Sequence, residues 1–280
     1  STVSADARRH RTCHNVRMNE WSWKVLQAGG LRLDGGGMFG IIPRTTWTDW
    51  IDTDGSNRIP LQTNCLLLRR DDVTVLVETG CGDKWTKNER DFYAIEDRTV
   101  VDALREIDVS PEEIDLVVVS HLHFDHAGGL TRLEGDGPDA SPVPVFPNAE
   151  VVVQRRELDD AIANRSTMTR TYLPNHIEPM GPRFRPVDGE AELLPGLRVE
   201  PLPGHTPGMH GIFVETDVGT VVFPGDLLPT IHHAHPSAAT AYDQLPYETF
   251  LTKRAFMHQA AESSWTVVLD HDAFHPVVHA

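Results

Sequence analysis

Ser120-His121-Leu122-His123-Phe124-Asp125-His126-Ala127-Gly128-Gly129 sets three imidazoles and a carboxylate within six consecutive residues. Side chains alternate along an extended segment, so His121 and His123 project from one face and can grip a single metal ion. Asp125 and His126 follow where the chain must turn into a helix, and a turn can redirect that adjacent pair towards a second ion.

One segment cannot close a metal site, so further ligands are required at other strand ends. Pro203-Gly204-His205-Thr206-Pro207-Gly208 places a His between turn-formers after a predicted strand, and Phe223-Pro224-Gly225-Asp226 does the same for an Asp. Leu269-Asp270-His271-Asp272 ends the last apolar run with a His. His275 and His279 compete with His271 for that role, but His271 follows the strand directly whereas the other two sit in a Pro-containing tail. The chain holds 15 His, 9 of them from His205 onward. Among these, His232, His233 and His235 lie shortly after Asp226 with Tyr242 near. They are candidates for lining a substrate pocket and hydrogen-bonding a developing oxyanion.

The elements that must position these groups are legible along the chain. Leu61–Leu68 and Val73–Val77 read as a hairpin around Arg70-Asp71-Asp72. Thr99–Ile107 has helical apolar spacing, Ser110-Pro111-Glu112-Glu113 opens a short helix, and Ile114–Val119 is a β-branched run suited to a strand buried on both faces. Val143–Pro147 and Ala149–Gln154 predict strands, and Arg155–Ala163 a helix. Leu197–Leu202, Gly211–Thr216, Thr220–Phe223 and Trp265–Leu269 predict further strands, with a helix over Tyr247–Glu262. Gly135–Pro144 and Pro229–Pro236 read as loops, and Gly35-Gly36-Gly37 as a turn. Trp21, Trp23, Trp47 and Trp50 read as core or interface, and with Met38, Phe39, Leu227 and Leu228 they are candidates for an apolar pocket wall. Strands interleaved with helices and no polar linker predict one layered α/β domain over residues 1–280, with 1–20 as an N-terminal arm.

Composition narrows the partners. With 25 Lys+Arg against 41 Asp+Glu the formal net charge is −16, which repels polyanions and argues against nucleic acid. The basic cluster Arg8, Arg9, Arg11 and Arg17 lies in the N-terminal arm. No apolar run approaches the ~18 residues that cross a bilayer, so a soluble chain without a membrane partner is expected. Cys13, Cys65 and Cys81 are an odd number without C-x-x-C spacing, which fits reduced thiols and a cytoplasmic location. The start at Ser1 leaves a removed export signal open.

From about Asn64 to His271 the motifs, in their order, resemble those of the metallo-β-lactamase-fold hydrolases. The resemblance implies a four-layer αββα sandwich with metals between the sheet ends. It further implies that His121, His123 and His205 ligate one ion and Asp125, His126 and His271 the other, with Asp226 and a hydroxide bridging. S-H-L-H-F-D-H-A-G-G followed by P-G-H-T-P-G is most similar to the acyl-homoserine lactonases and parathion-hydrolase-like enzymes. True β-lactamases usually lack the last His of the first motif and carry Cys where Asp226 stands. The family commonly has Asp-Thr-Gly after the second strand. This chain has Glu78-Thr79-Gly80, a carboxylate one methylene longer at a position that supports the ligands.

The expected cofactors are two divalent ions, zinc foremost, with manganese, iron or cobalt as alternatives. A bridging hydroxide would attack a small-molecule lactone or carboxylic ester, with Asp226 holding the nucleophile and Asp125 shuttling the proton. A phosphotriesterase or phosphoesterase using the same site is the alternative, ahead of a non-catalytic metal-binding protein. A homodimer is compatible with the sequence.

Overall fold

Leu66 and Leu68 face one way and Leu67 the other, and the same alternation divides Val75 and Val77 from Leu76. In strands of period two, such a division means that both faces of the sheet are covered. The computed structural model describes residues 20–135, 137, 140–168 and 170–280; the predicted arm over 1–20, with its arginines and Cys13, lies outside them but for Glu20. In chain order the strands are β1 (Ser22–Asp34), β2 (Arg58–Arg70), β3 (Val73–Val77), β4 (Leu116–Val118), a ribbon of β5 (Thr131–Glu134) with β6 (Ser141–Pro144), β7 (Glu150–Gln154) and β8 (Phe184–Val187). The second half adds β9 (Ala191–Leu194), β10 (Leu197–Pro201), β11 (His210–Thr216), β12 (Gly219–Phe223), β13 (Thr266–Val268) and β14 (Val277–His279).

One six-stranded sheet runs β1-β2-β3-β4-β7-β8 and another runs β14-β13-β12-β11-β10-β9. Leu66, Leu68, Val75, Val77, Val118 and Val152 of the first sheet pack against Val199, Ile212, Val214, Val221, Phe223 and Val268 of the second. The opposite face of the first sheet (Leu67, Leu76, Val117, Val151) is covered by Val100, Ala103 and Leu104 of a helix over Val100–Arg105 and Ala161 of a helix over Arg155–Ile162. Phe256 and Ala260, on the helix Pro246–Ser263, cover Phe213, Val222 and Val267. The layers are therefore helix, sheet, sheet, helix, the αββα sandwich that the resemblance implies.

Strands β3, β4, β7 and β8 are mutually parallel, and β12 is parallel to β13. Their carboxyl ends gather at one edge of each sheet, the place where open α/β sheets put their functional loops.

Several expectations are corrected. The Gly35-Gly36-Gly37 turn is instead the start of a short helix, Gly35–Phe39, because the Asp34 side chain accepts the Gly37 N–H at 2.9 Å. The strand expected over Val143–Pro147 runs instead over Ser141–Pro144, into the expected loop, where it pairs with β5, and residues 145–147 are not strand. Strand β1 went unseen because Gly29-Gly30 sits at a register break between Gln27 and Gly30 that interrupts the pattern. The Pro-containing tail contributes β14, which pairs with β13.

Candidate metal centre

Strand β4 delivers the first motif, and its backbone is pinned on the way. Glu78, at the end of β3, accepts the Ser120 N–H through Oε1 at 2.7 Å, and Glu157 accepts the Leu122 N–H through Oε1 at 3.0 Å. The chain then turns at His123 into a helix over Phe124–Ala127, with His126 and Ala127 both donating to the His123 carbonyl. Gly128 and Gly129 follow because nothing larger fits. A Cβ on Gly128 would lie 2.1 Å from the Cys81 carbonyl oxygen, and one on Gly129 2.2 Å from that of Thr79.

The ends of β10, β12 and β13 bring the other residues to the same place. His205 Nε2 lies 3.0 Å from His123 Nδ1 and 3.1 Å from Asp226 Oδ2, and His121 Nε2 is 3.9 Å from that same oxygen. The second oxygen of Asp226 faces another pair: Oδ1 is 3.1 Å from His271 Nε2 and 3.6 Å from His126 Nε2, and the two imidazole nitrogens are 3.3 Å apart. Asp125 stands beside this pair, 3.5 Å from His271 and 3.8 Å from His126. Two donor sets, His121/His123/His205/Asp226 and His126/Asp226/Asp270/His271, thus each have their ligand atoms within 4.8 Å of one another and consist of buried residues.

These residues fit divalent cations. His121 Nε2, Asp226 Oδ1 and both carboxylate oxygens of Asp270 are buried without a hydrogen-bond partner, which is costly unless something else satisfies them. Electrostatics point the same way. Burial, reinforced by neighbouring imidazoles, pushes His121 and His123 well below the usual histidine range, so both offer neutral nitrogens. At the second set burial is overcome by carboxylates. Asp270, Asp226 and Asp125 raise His271 to about 10, and Asp226, Asp125 and Glu78 raise His126. Asp226 is held well below the usual carboxylate range because His205, His271 and His126 outweigh its burial. The second set attracts positive charge strongly enough to keep protons on imidazole, and a bound cation would answer the same demand.

The nitrogens not facing the centre are oriented from behind. His205 Nδ1 bonds Asp243 Oδ1 at 2.9 Å, His271 Nδ1 bonds the Gln62 carbonyl at 2.9 Å, and His121 Nδ1 bonds the Ser120 hydroxyl at 2.9 Å. Glu157, entirely buried, also accepts the Tyr172 hydroxyl at 2.9 Å and the Thr206 hydroxyl at 2.5 Å, tying the His121–His123 segment to the His205 turn. Sequence reasoning missed Asp243, Glu157 and Asp270. The first two are remote in sequence from the ligands they support and carry no spacing signal, whereas Asp270 directly precedes His271 and could have been read from its acidic flank.

A cavity of about 420 Å³ opens onto the centre, lined by Leu33, Met38, Tyr93, Phe124, Met168 and Tyr242, by Arg170 and several threonines, and by His123, Asp125, His205, Asp226 and His271. Burial raises Tyr242 to about 12, so its hydroxyl keeps its proton at neutral pH. The three candidate histidines lie elsewhere. His233 is buried behind the wall, bonded through Nε2 to the Met38 carbonyl at 2.8 Å and through Nδ1 to Thr230 at 2.8 Å. His232 stacks on Trp50 in a separate cleft, and His235, 6.1 Å ring to ring from Trp50, is likewise absent from the cavity wall. Of the residues expected to form the apolar wall only Met38 reaches the cavity, joined there by Leu33. Phe39 and Trp47 stack beneath it, Trp21 is buried in the core between the sheets, and Leu227 and Leu228 are buried between the second sheet and its helix. His275 is exposed near Asp272, and His279 on β14 bonds Thr266 of β13, so neither enters either donor set.

Residues 58–270 match the family model described as the metallo-beta-lactamase superfamily. The N-acyl homoserine lactonase AiiA of Bacillus thuringiensis subsp. kurstaki is 28% identical over 197 residues, which are 66% of this chain and 69% of that protein. The N-acyl homoserine lactonase AiiB of Rhizobium rhizogenes is 26% identical over 272 residues, 89% of this chain and 92% of that protein. Among solved structures, a probable metal-dependent hydrolase from Staphylococcus aureus superposes with a TM-score of 0.86 at 26% identity, covering 93% of this chain and 92% of that one.

Proposed function

The chain belongs to the metallo-beta-lactamase superfamily, and from that premise we propose that this metal-dependent hydrolase opens a small-molecule lactone or carboxylic ester at a centre of two divalent ions. The observation that carries the proposal is the division of one carboxylate: Asp226 turns Oδ2 to His205 and Oδ1 to His271, each at 3.1 Å. A single tetrahedral zinc has no use for the donors on both sides of that bridge. His121, His123, His205 and Asp226 would hold one ion, and His126, Asp226 and His271 the other with Asp125 beside them. When bound, such ions supply Lewis acidity towards a carbonyl oxygen and a water whose pKa is lowered towards neutrality.

The chain's own groups do the rest. Leu33, Met38, Phe124 and Met168 give the cavity an apolar wall suited to an acyl chain or a neutral ring. Tyr242, protonated at neutral pH, is a donor for oxygen on the substrate. Asp125 faces the cavity, where its carboxylate can take the proton of the attacking water and return it to the leaving alkoxide. The relatives named as N-acyl homoserine lactonases support the lactone as the substrate class.

Comparing kcat/KM for a medium-chain lactone and an aryl phosphotriester on one metal-loaded preparation tests the reading. The lactone is expected to be preferred. A tenfold preference for the phosphotriester, about 1.4 kcal/mol at the transition state, would overturn it.

A further inference from the structure

Asp270 has no part in the scheme above, yet it is 2% exposed and neither of its carboxylate oxygens has a hydrogen-bond partner. Its ligand atom shares the 4.8 Å cluster with His126, Asp226 and His271, and it is absent from the cavity wall on which Asp125 stands. The backbone that carries it is fixed. Asn64 donates its N–H to the Asp270 carbonyl at 2.7 Å and its side-chain amide to the carbonyls of Leu269 and Asp272, both at 2.8 Å. His271 is held in turn by its N–H to the Pro229 carbonyl at 3.0 Å and its ring to that of Gln62 at 2.9 Å. Bends at Asp270 and His271 let two adjacent side chains reach the same centre, which a straight strand would send to opposite faces. Two buried carboxylates, Asp226 and Asp270, therefore meet with unpaired oxygens, an arrangement that costs several kcal/mol unless a cation satisfies both.

We infer that Asp270 is a ligand of the second ion, approaching from the protein interior while Asp125 approaches from the cavity. The inference rests on the two-ion reading. It makes the two sites unlike: three imidazoles and one carboxylate hold the first ion, whereas the second is richer in oxygen. Asp125 is then free to leave the ion and handle protons, because Asp270 keeps the coordination and the charge in place.

The test uses the whole chain, stripped of metal and titrated with zinc against a chromophoric chelator, for the wild type, Asp270→Asn and Asp270→Ala. The wild type is expected to take up two equivalents. In both variants the first equivalent should bind as in the wild type and the second at least about tenfold more weakly. Circular dichroism of both metal-free variants checks that they fold as the metal-free wild type does, so that any loss of zinc affinity is read on folded protein. Wild-type affinity for both equivalents in the folded variants would overturn the role of Asp270, as would an equal weakening of both equivalents. A wild-type protein that never exceeds one equivalent would instead overturn the two-ion reading itself.

Discussion

Oε2 of Glu78 lies 3.5 Å from Nδ1 of His126, while Oε1 of the same carboxylate accepts the Ser120 N–H at 2.7 Å. One side chain thus orients a histidine of the second donor set and fixes the backbone that leads to the first. Glu78 itself adopts a left-handed conformation with φ of 63°, which a non-glycine residue keeps only where its surroundings hold it. Glu78→Gln turns one acceptor into a donor and removes the charge, so metal affinity at the His126 set should fall about 10- to 100-fold. Chelator competition measures it, and unchanged affinity would show that His126 needs no support from Glu78.

Asp226→Ala removes the anion that both donor sets share. Loss of metal from both sets is expected, with kcat/KM on a lactone down by at least about 10³, or about 4 kcal/mol. Elemental analysis and steady-state kinetics on the same preparation check it; wild-type turnover at unchanged metal content would refute the bridge.

Glu157 has three donors converging on it: the Leu122 N–H and the hydroxyls of Tyr172 and Thr206. Glu157→Gln presents an NH₂ group to one of them and leaves a buried donor unpaired, so a loss of about 1–3 kcal/mol in stability is expected. Because the network ties His121–His123 to His205, affinity at the first donor set should fall as well. Chemical denaturation and zinc titration together separate the two effects, and a purely structural role would leave zinc binding as in the wild type.

His233 supplies a pH dependence of stability. Burial lowers its pKa to about 4 in the folded protein, despite the bond to the Met38 carbonyl, against 6.5 as its ordinary value. Between those values the unfolded chain binds a proton that the folded ring refuses. Stability therefore falls as pH drops from 6.5 towards 4, by up to about 1.4 kcal/mol per pH unit, and is unaffected above that window. His233→Gln should show a shallower loss of denaturation free energy between pH 6.5 and 5 than wild type, both measured metal-free. Parallel slopes would mean that the ring charges in place.

The sequence alone determined the candidate metal donors of this protein, because metal ligation is a demand on residue type and local spacing. His121-x-His123 on an extended segment and Asp125-His126 at a turn are local facts, and His205, Asp226 and His271 follow strands whose hydrophobic runs are equally local. The alternation of β2 and β3 and the fully apolar β4 also announce a sheet covered on both faces. What only the tertiary structure decided is which side chains stand behind those candidate donors. Asp243 bonds His205 from 38 residues away, and Gln62 bonds His271 from 209 residues away. Such partners are chosen by where two sheets end in space, a relation for which no periodicity in the chain is a proxy. The cavity wall was settled in the same way. Strand β1 and the short helix after Asp34 bring Met38 to the cavity and bury Trp47 beneath it, while His233 is turned inward to satisfy the Met38 carbonyl. A hydrophobic sequence reports that a residue will be buried, but only the packing determines whether it is buried against the core or against the substrate.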